Sequence, residues 1–213
     1  DWSSDVCSSD LMLGGGFLPG DVVLVGGQPG LGKTAILQAI VEGMIRNTPD
    51  LMGIYLCFEM GRDELIARSL RRVLDGKYEL YEILQGYKWT DEMRQEITDA
   101  ADAYAATIGK RLIYNPAKHD GALPSNRIDD IRGLLEAAAS VAEKQGKLPP
   151  LVVCDYVQLL TDGSDDTKKT IGNAMQMMCS YAKKHKAIVM AAMANNGIKG
   201  SQAGTALRSV FTR

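Results

Sequence analysis

The chain has 213 residues, of which 46% are hydrophobic and 23% charged, with 24 Lys+Arg set against 26 Asp+Glu and a formal net charge of −2. That balance describes one soluble globular domain with a full core; it excludes wholesale disorder and a globally basic nucleic-acid coat, while a local basic loop or a ring of subunits can still hold a phosphate backbone. No apolar run reaches the roughly 18 residues that a membrane span requires, and no basic-then-apolar leader opens the chain, so no membrane association and a cytoplasmic location are expected.

The first eleven residues, DWSSDVCSSDL, have neither helical nor strand periodicity. They resemble the translation of a sequencing-library adapter, with a disordered tail as the alternative, and residues 12–213 are taken as the domain. The first strand is expected over Asp21 to Gly26 after the Pro19-Gly20 turn, then a glycine loop and a helix from Lys33 to about Arg46 with Ile36, Ile40 and Met44 on its inner face. A buried strand runs over Met52 to Phe58, followed by a helix over Asp63 to Leu74 with Leu65, Ile66, Leu70 and Val73 inward. Between about 78 and 108 the pattern is helical throughout, with Thr90 as a cap and Met93 and Ile97 inward, and is read as a helical insertion.

Beyond it come a short strand over Arg111 to Tyr114, an alanine-rich helix over Ile128 to Lys144, and the buried strand Leu151 to Asp155. A helix over Ile171 to Lys184 and a strand over Ala187 to Met193 complete the pattern. The stretches Thr161 to Thr170 and Ala194 to Ala206 have loop composition. The end at Val210 to Arg213 lacks a cap and is read as a truncation. Apolar runs alternating with amphipathic stretches define an α/β fold, a mostly parallel central sheet flanked by helices, in which ligands bind at the loops after the strands.

Gly27-Gln28-Pro29-Gly30-Leu31-Gly32-Lys33-Thr34 fits the phosphate-loop pattern G-x-x-x-x-G-K-[ST] between a strand and a helix. Backbone N–H groups of such a loop wrap a phosphate chain, Lys33 neutralises the β- and γ-phosphates, Thr34 joins a magnesium shell, and the helix directs its positive end at the anion. A loop of this kind needs carboxylates at neighbouring strand ends, one for the metal and one to polarise the attacking water. Asp155, closing LVVCD, and Glu59, closing GIYLCF, are the two that qualify.

At this point the chain resembles the DnaB-type hexameric replicative helicases, whose motor is a RecA-like P-loop NTPase. The resemblance is carried by Gly14-Gly15-Gly16-Phe17-Leu18-Pro19-Gly20-Asp21, the loop at 27–34, Phe58-Glu59-Met60 with Arg68-Ser69-Leu70, and Asp155-Tyr156-Val157-Gln158-Leu159. It implies ATP and Mg2+ as cofactors, with Lys33 and Thr34 on the phosphates and metal, Glu59 as the catalytic base and Asp155 as the metal-ordering acid. It also implies a hexameric ring on single-stranded DNA in replication, with a primase or helicase loader as further partner. The loops after Leu160 and Met193 then correspond to channel loops, with Lys168, Lys169 and Lys199 as the available cations.

One departure concerns the last strand. Where these helicases place Ser-Gln-Leu-Asn-Arg, this chain has Ala192-Met193-Ala194-Asn195-Asn196, so the γ-phosphate-sensing glutamine falls on Met193, whose thioether offers no donor. Two rivals are weighed: a RadA- or KaiC-type recombination or regulatory ATPase, which the Gly14-Gly15-Gly16 entry and the loop also fit and the Asp155–Leu159 string argues against, and a nucleotide-gated scaffold without helicase activity, supported by Met193. The region supplying the family's arginine finger, its N-terminal domain and its linker helix are not in the sequence, so the fragment alone is expected to be inactive. The cysteines Cys7, Cys57, Cys154 and Cys179 are read as reduced thiols, His119 and His185 as surface residues, and Met175, Met177 and Met178 as core and subunit-face filler. Arg62, Arg68, Arg71 and Arg72 are read as a solvated helix face, with phosphate or another subunit as the alternative contact.

Overall fold

The computed structural model of the protein describes residues 16–115 and 125–194. The expectations placed on residues 1–11, on His119 and Lys199, and on the stretch after Ala194 lie outside these residues.

Among the described residues five strands form one sheet, and every pairing in it is parallel: β1 (Val22–Gly27), β2 (Gly53–Cys57), β3 (Leu112–Tyr114), β4 (Leu151–Asp155) and β5 (Val189–Ala194). Their spatial order is β1-β5-β4-β2-β3. Parallel neighbours cannot be joined by tight hairpins, so helices carry the chain back across the faces. These are α1 (Lys33–Asn47), α2 (Arg62–Val73), α3 (Leu80–Leu84), α4 (Asp91–Tyr104), α5 (Ile128–Lys144) and α6 (Thr167–His185). The α/β class and the parallel sheet expected from the alternation are what the structure has.

The strands are near-continuous apolar runs because both sheet faces are covered. All five residues of β2 and all five of β4 are buried. Period-two alternation then divides each strand between two cores. On one face Tyr55, Val153 and Met190 pack with Leu37, Val41 and Ile45 of α1, Leu65 of α2 and Ile97 of α4. On the other, Ile54, Leu56, Val152 and Val189 pack with Ile131 and Leu135 of α5 and Met175, Met178 and Tyr181 of α6. Met177 is buried in the same layer, so the three methionines of α6 are core residues.

Four sequence expectations are corrected here. In α1 the inward stripe is Leu37, Val41, Met44 and Ile45, whereas Ile36 is 50% exposed; apolar residues stand at adjacent positions along this helix, and packing on the sheet selects the second stripe. In α2 Leu65 and Leu70 are buried as expected, but Val73 in the last turn is exposed. Helix α6 begins at Thr167 rather than Ile171, because Asp166 caps it, its carboxylate accepting from the N–H groups of Lys168 and Lys169 at 3.0 and 3.1 Å. His185 is not a free surface residue, its ring lying 5.0 Å from that of Tyr181 with Nε2 3.0 Å from Glu136 Oε2.

Between α2 and β3 the chain is helical. Glu79 and Glu82 form a capping box on α3, Thr90 Oγ1 accepts from Met93 N–H to cap α4, and α4 continues into a π-helical turn over Ala105–Gly109. Helices α2 and α4 and strand β3 are tied to α1 by a buried carboxylate. Glu42 Oε1 accepts from Ser69 Oγ at 2.6 Å and from the hydroxyls of Tyr104 and Tyr114 at 3.1 Å, while Oε2 accepts from Arg72 at 2.6 Å. Burial and the Glu42 charge push the Tyr114 phenol up to about 12. Glu42→Ala would leave a guanidinium and three hydroxyls without their acceptor, so a loss of roughly 3–5 kcal/mol is expected from denaturant unfolding of the variant. An unfolding midpoint equal to the wild type would show that the network carries no stability.

Candidate functional site

The glycine loop leaves β1 at the sheet's carboxyl edge and returns directly into α1. Gly30 and Gly32 adopt φ of 81° and 78°, a left-handed backbone that side chains rarely tolerate, and nothing lies within 4 Å of a Cβ built on either. Gly32 is also the N-cap of α1 and supplies no side-chain cap, so the orphan N–H groups of the first turn are open to an external acceptor. Loop and helix together present backbone N–H groups in the arrangement that cradles an anion.

Lys33 and Thr34 open α1, and both are buried. The Lys33 ammonium donates to the carbonyls of Gly27 and Gln28 at 2.9 and 2.8 Å and stands 5.3 Å from the centre of the Tyr156 ring. An ammonium has three protons, so two hold the loop in shape and one is left for an anion within it. Thr34 Oγ1 donates to Asp155 Oδ2 at 2.7 Å across 121 positions of sequence. Tyr55 OH donates to the same oxygen at 3.1 Å.

Asp155 is fully buried at the end of β4. Its Oδ1 has no hydrogen-bond partner. Burial raises the carboxyl pKa, and the bonds from Thr34 and Tyr55 act against that rise, as does the charge of Lys33. A buried carboxylate oxygen without a donor, beside a threonine hydroxyl and an anion cradle, is the donor set that a hard cation shared with a phosphate chain requires. Among the described residues no group of three or more His, Cys, Asp or Glu is gathered to hold a metal by protein ligands alone. Magnesium needs only one or two protein ligands when phosphates complete its shell, so the residues fit that ion.

Glu59 follows β2, which ends at Cys57 and not at Phe58 as expected, and its side chain is exposed. Its turn is fastened on both sides. Phe58 N–H donates to the Asp155 carbonyl at 3.0 Å, and Asn115 spans the turn by accepting from Cys57 N–H at 2.7 Å and donating to the Met60 carbonyl at 2.8 Å. Tyr156 stands next to the same group: burial, then the charges of Glu59 and Asp155, push its phenol up. The structure thus brings Gly27 to Thr34, Glu59 and Asp155 to one end of the sheet. Sequence reasoning missed Tyr55 and Asn115 as site residues and quoted Tyr156 only as part of a string.

The expected nucleic-acid contacts are placed differently. Lys168 and Lys169 are exposed but sit in the first turn of α6 rather than in a loop, and Lys199 lies outside the described residues. Of the arginine cluster, Arg68, Arg71 and Arg72 bind Glu64, Glu79 and Glu42 at 2.8, 3.1 and 2.6 Å, and Arg62 reaches Asp63 at 3.8 Å. These guanidiniums are engaged with the chain's own carboxylates. Cys57 and Cys154 are buried free thiols and Cys179 is a partly buried one.

A parallel sheet whose first strand feeds a phosphate-type loop, with acids at two neighbouring strand ends, defines a P-loop nucleotide-binding domain of RecA-like architecture. The sequence profile of the DnaB-like helicase C terminal domain matches residues 7–196, and the chain belongs to that family. Among solved structures, one ATPase domain superposes with a TM-score of 0.67 at 19% identity, covering 90% of this chain and 64% of that one. A DnaB-like replicative helicase, described with its interactions with primase, gives 0.64 at 20% identity over 83% of this chain and 39% of that one. Similar curated proteins include the DNA repair protein RadA of Haemophilus influenzae, 33% identical over 70 residues that make up 33% of this chain and 15% of that protein. RadA of Synechocystis is 28% identical over 154 residues, 71% of this chain and 23% of that protein. The matched stretches span less than a quarter of these relatives' length.

Proposed function

We propose that the domain binds and hydrolyses ATP with Mg2+ as the motor of a DnaB-like helicase, acting as a hexameric ring on single-stranded DNA in the cytoplasm during replication. The observation that carries this reading is the Thr34–Asp155 contact of 2.7 Å beneath the loop, with Asp155 Oδ1 left buried and unpartnered. Magnesium bound with the nucleotide would neutralise charge on the β- and γ-phosphates. Thr34 Oγ1 and Asp155 would hold it, and Lys33 and the N–H groups of residues 30–34 would hold the phosphates. Glu59, solvent-accessible and fastened beside Asp155, would accept the proton of the attacking water.

Membership of the helicase family over most of the chain supports this reading above a RadA-type one, whose matches cover a third of the chain at 33% identity and reach 71% of it only at 28%. Primase or a loader is the partner class that the family suggests. Lys168 and Lys169, exposed in the first turn of α6, are the proposed DNA contacts, together with Lys199. No helix among the described residues is long and apolar enough to cross a membrane.

A second reading, a nucleotide-gated scaffold, is favoured by one observation. Met193 stands at the end of β5, paired in register with Gly26 at the entrance to the phosphate loop, where a thioether replaces the sensing amide. The two readings part in one assay, ATP hydrolysis by the full-length protein with and without single-stranded DNA. Stimulation by DNA is the expected result; nucleotide binding without stimulation would favour the scaffold.

A further inference from the structure

Strand β2 reads Gly-Ile-Tyr-Leu-Cys, and its tyrosine is the only residue in it with a hydroxyl. Tyr55 is fully buried in the core between α1 and the sheet. A phenol in that position must find an acceptor, and an aliphatic side chain would fill the same space without that demand. The acceptor is Asp155 Oδ2 at 3.1 Å, and the Thr34 carbonyl lies at 3.4 Å. With one proton to give, the phenol donates to the nearer, charged oxygen. Register explains the reach: Tyr55 pairs with Val153 and Cys57 with Asp155, so Tyr55 lies on the same sheet face as Asp155, two residues back along the neighbouring strand. The ring is braced by that of Tyr114, with centroids 5.4 Å apart, and Tyr114 is itself bound to Glu42.

The arrangement makes the two oxygens of Asp155 unequal. Oδ2 takes two donors, one from Thr34 and one from Tyr55, while Oδ1 takes none. Two donors on one oxygen fix the plane of the carboxylate; with Thr34 alone, the group can turn and offer either oxygen. We propose that Tyr55 is a positioning residue of the magnesium site, holding the Asp155 carboxylate so that Oδ1 faces the metal shell while Oδ2 stays bound to Thr34. The inference rests on the nucleotide-site reading above and adds a residue to it.

The test is a Mg2+ titration of binding of a fluorescent N-methylanthraniloyl-ADP to the full-length protein, wild type against Tyr55→Phe. Removing a hydrogen bond to a charged group while keeping the ring is expected to raise the Mg2+ midpoint about ten-fold. Affinity measured in excess EDTA is expected to stay within about two-fold of wild type, because the phosphate cradle is untouched. A packing role alone would instead move both affinities together. Replacing Tyr55 with 3-fluorotyrosine, which keeps the fold and makes the phenol a stronger donor, is expected to shift the midpoint the opposite way. An unchanged midpoint in either substituted protein overturns the inference with the site reading intact. A wild type that does not bind the probe with or without Mg2+ overturns the site reading and the inference together.

Discussion

Lys33→Ala is expected to reduce ATP turnover by at least about 100-fold, the cost of losing a preorganised cation from a site of developing phosphate charge. In the structure the side chain closes the loop through the Gly27 and Gln28 carbonyls, and the proposed function assigns its third proton to the phosphates. Alanine removes both, so nucleotide affinity is expected to fall along with turnover. Steady-state hydrolysis and equilibrium nucleotide binding, measured on the same preparation, check this. Turnover within a few-fold of wild type would mean that the phosphates are held elsewhere.

Glu59→Gln separates binding from chemistry. Glu59 is exposed and contributes nothing to the cradle, so its amide is expected to leave fold and nucleotide affinity unchanged. In the proposed role of proton acceptor it would be worth roughly 10²–10⁴ in rate, and the variant is expected to retain unhydrolysed ATP through gel filtration. Normal turnover by Glu59→Gln would move the base to another group. Asn115, which fastens the Cys57–Met60 turn, then accounts for why an exposed carboxylate is held in register with Asp155.

The parts of this molecule that were legible in its sequence are those where one local signal dominates. LVVCD and the helix Ile128–Lys144 fall at their observed boundaries, because a doubly covered strand and a long amphipathic helix each leave a pattern with few competing readings. The strand, glycine loop and helix around 27–34 were legible because glycine spacing, lysine and threonine together form one pattern with a fixed structural context. Where two signals competed, tertiary packing decided. Ile36 and Leu37 are equally apolar, and only the sheet beneath α1 buries the second. The run Thr161 to Thr170 has loop composition, yet Asp166 within it is a helix cap, and caps and loops draw on the same polar residues.

The remainder of the site depends on long-range contacts. Tyr55 is in sequence one more β-forming residue of a buried strand, and its hydroxyl acquires meaning only when β4 lies alongside. Asn115 follows a three-residue strand with φ of 45°, and its amide finds Cys57 and Met60 through the β2–β3 pairing. Glu42 reads as an ordinary polar position of α1; four donors from three other elements make it a buried acceptor. Sheet order supplies these neighbours, and no short-range pattern encodes it.

The most direct test of the account is a structure of full-length Glu59→Gln with ATP and Mg2+. The phosphates are expected within the 27–34 loop, the ion on Thr34 Oγ1, and Asp155 Oδ1 turned toward the ion's shell while Oδ2 keeps its bonds to Thr34 and Tyr55. A nucleotide held away from this loop, or an ion without Thr34 and Asp155 beside it, would contradict it.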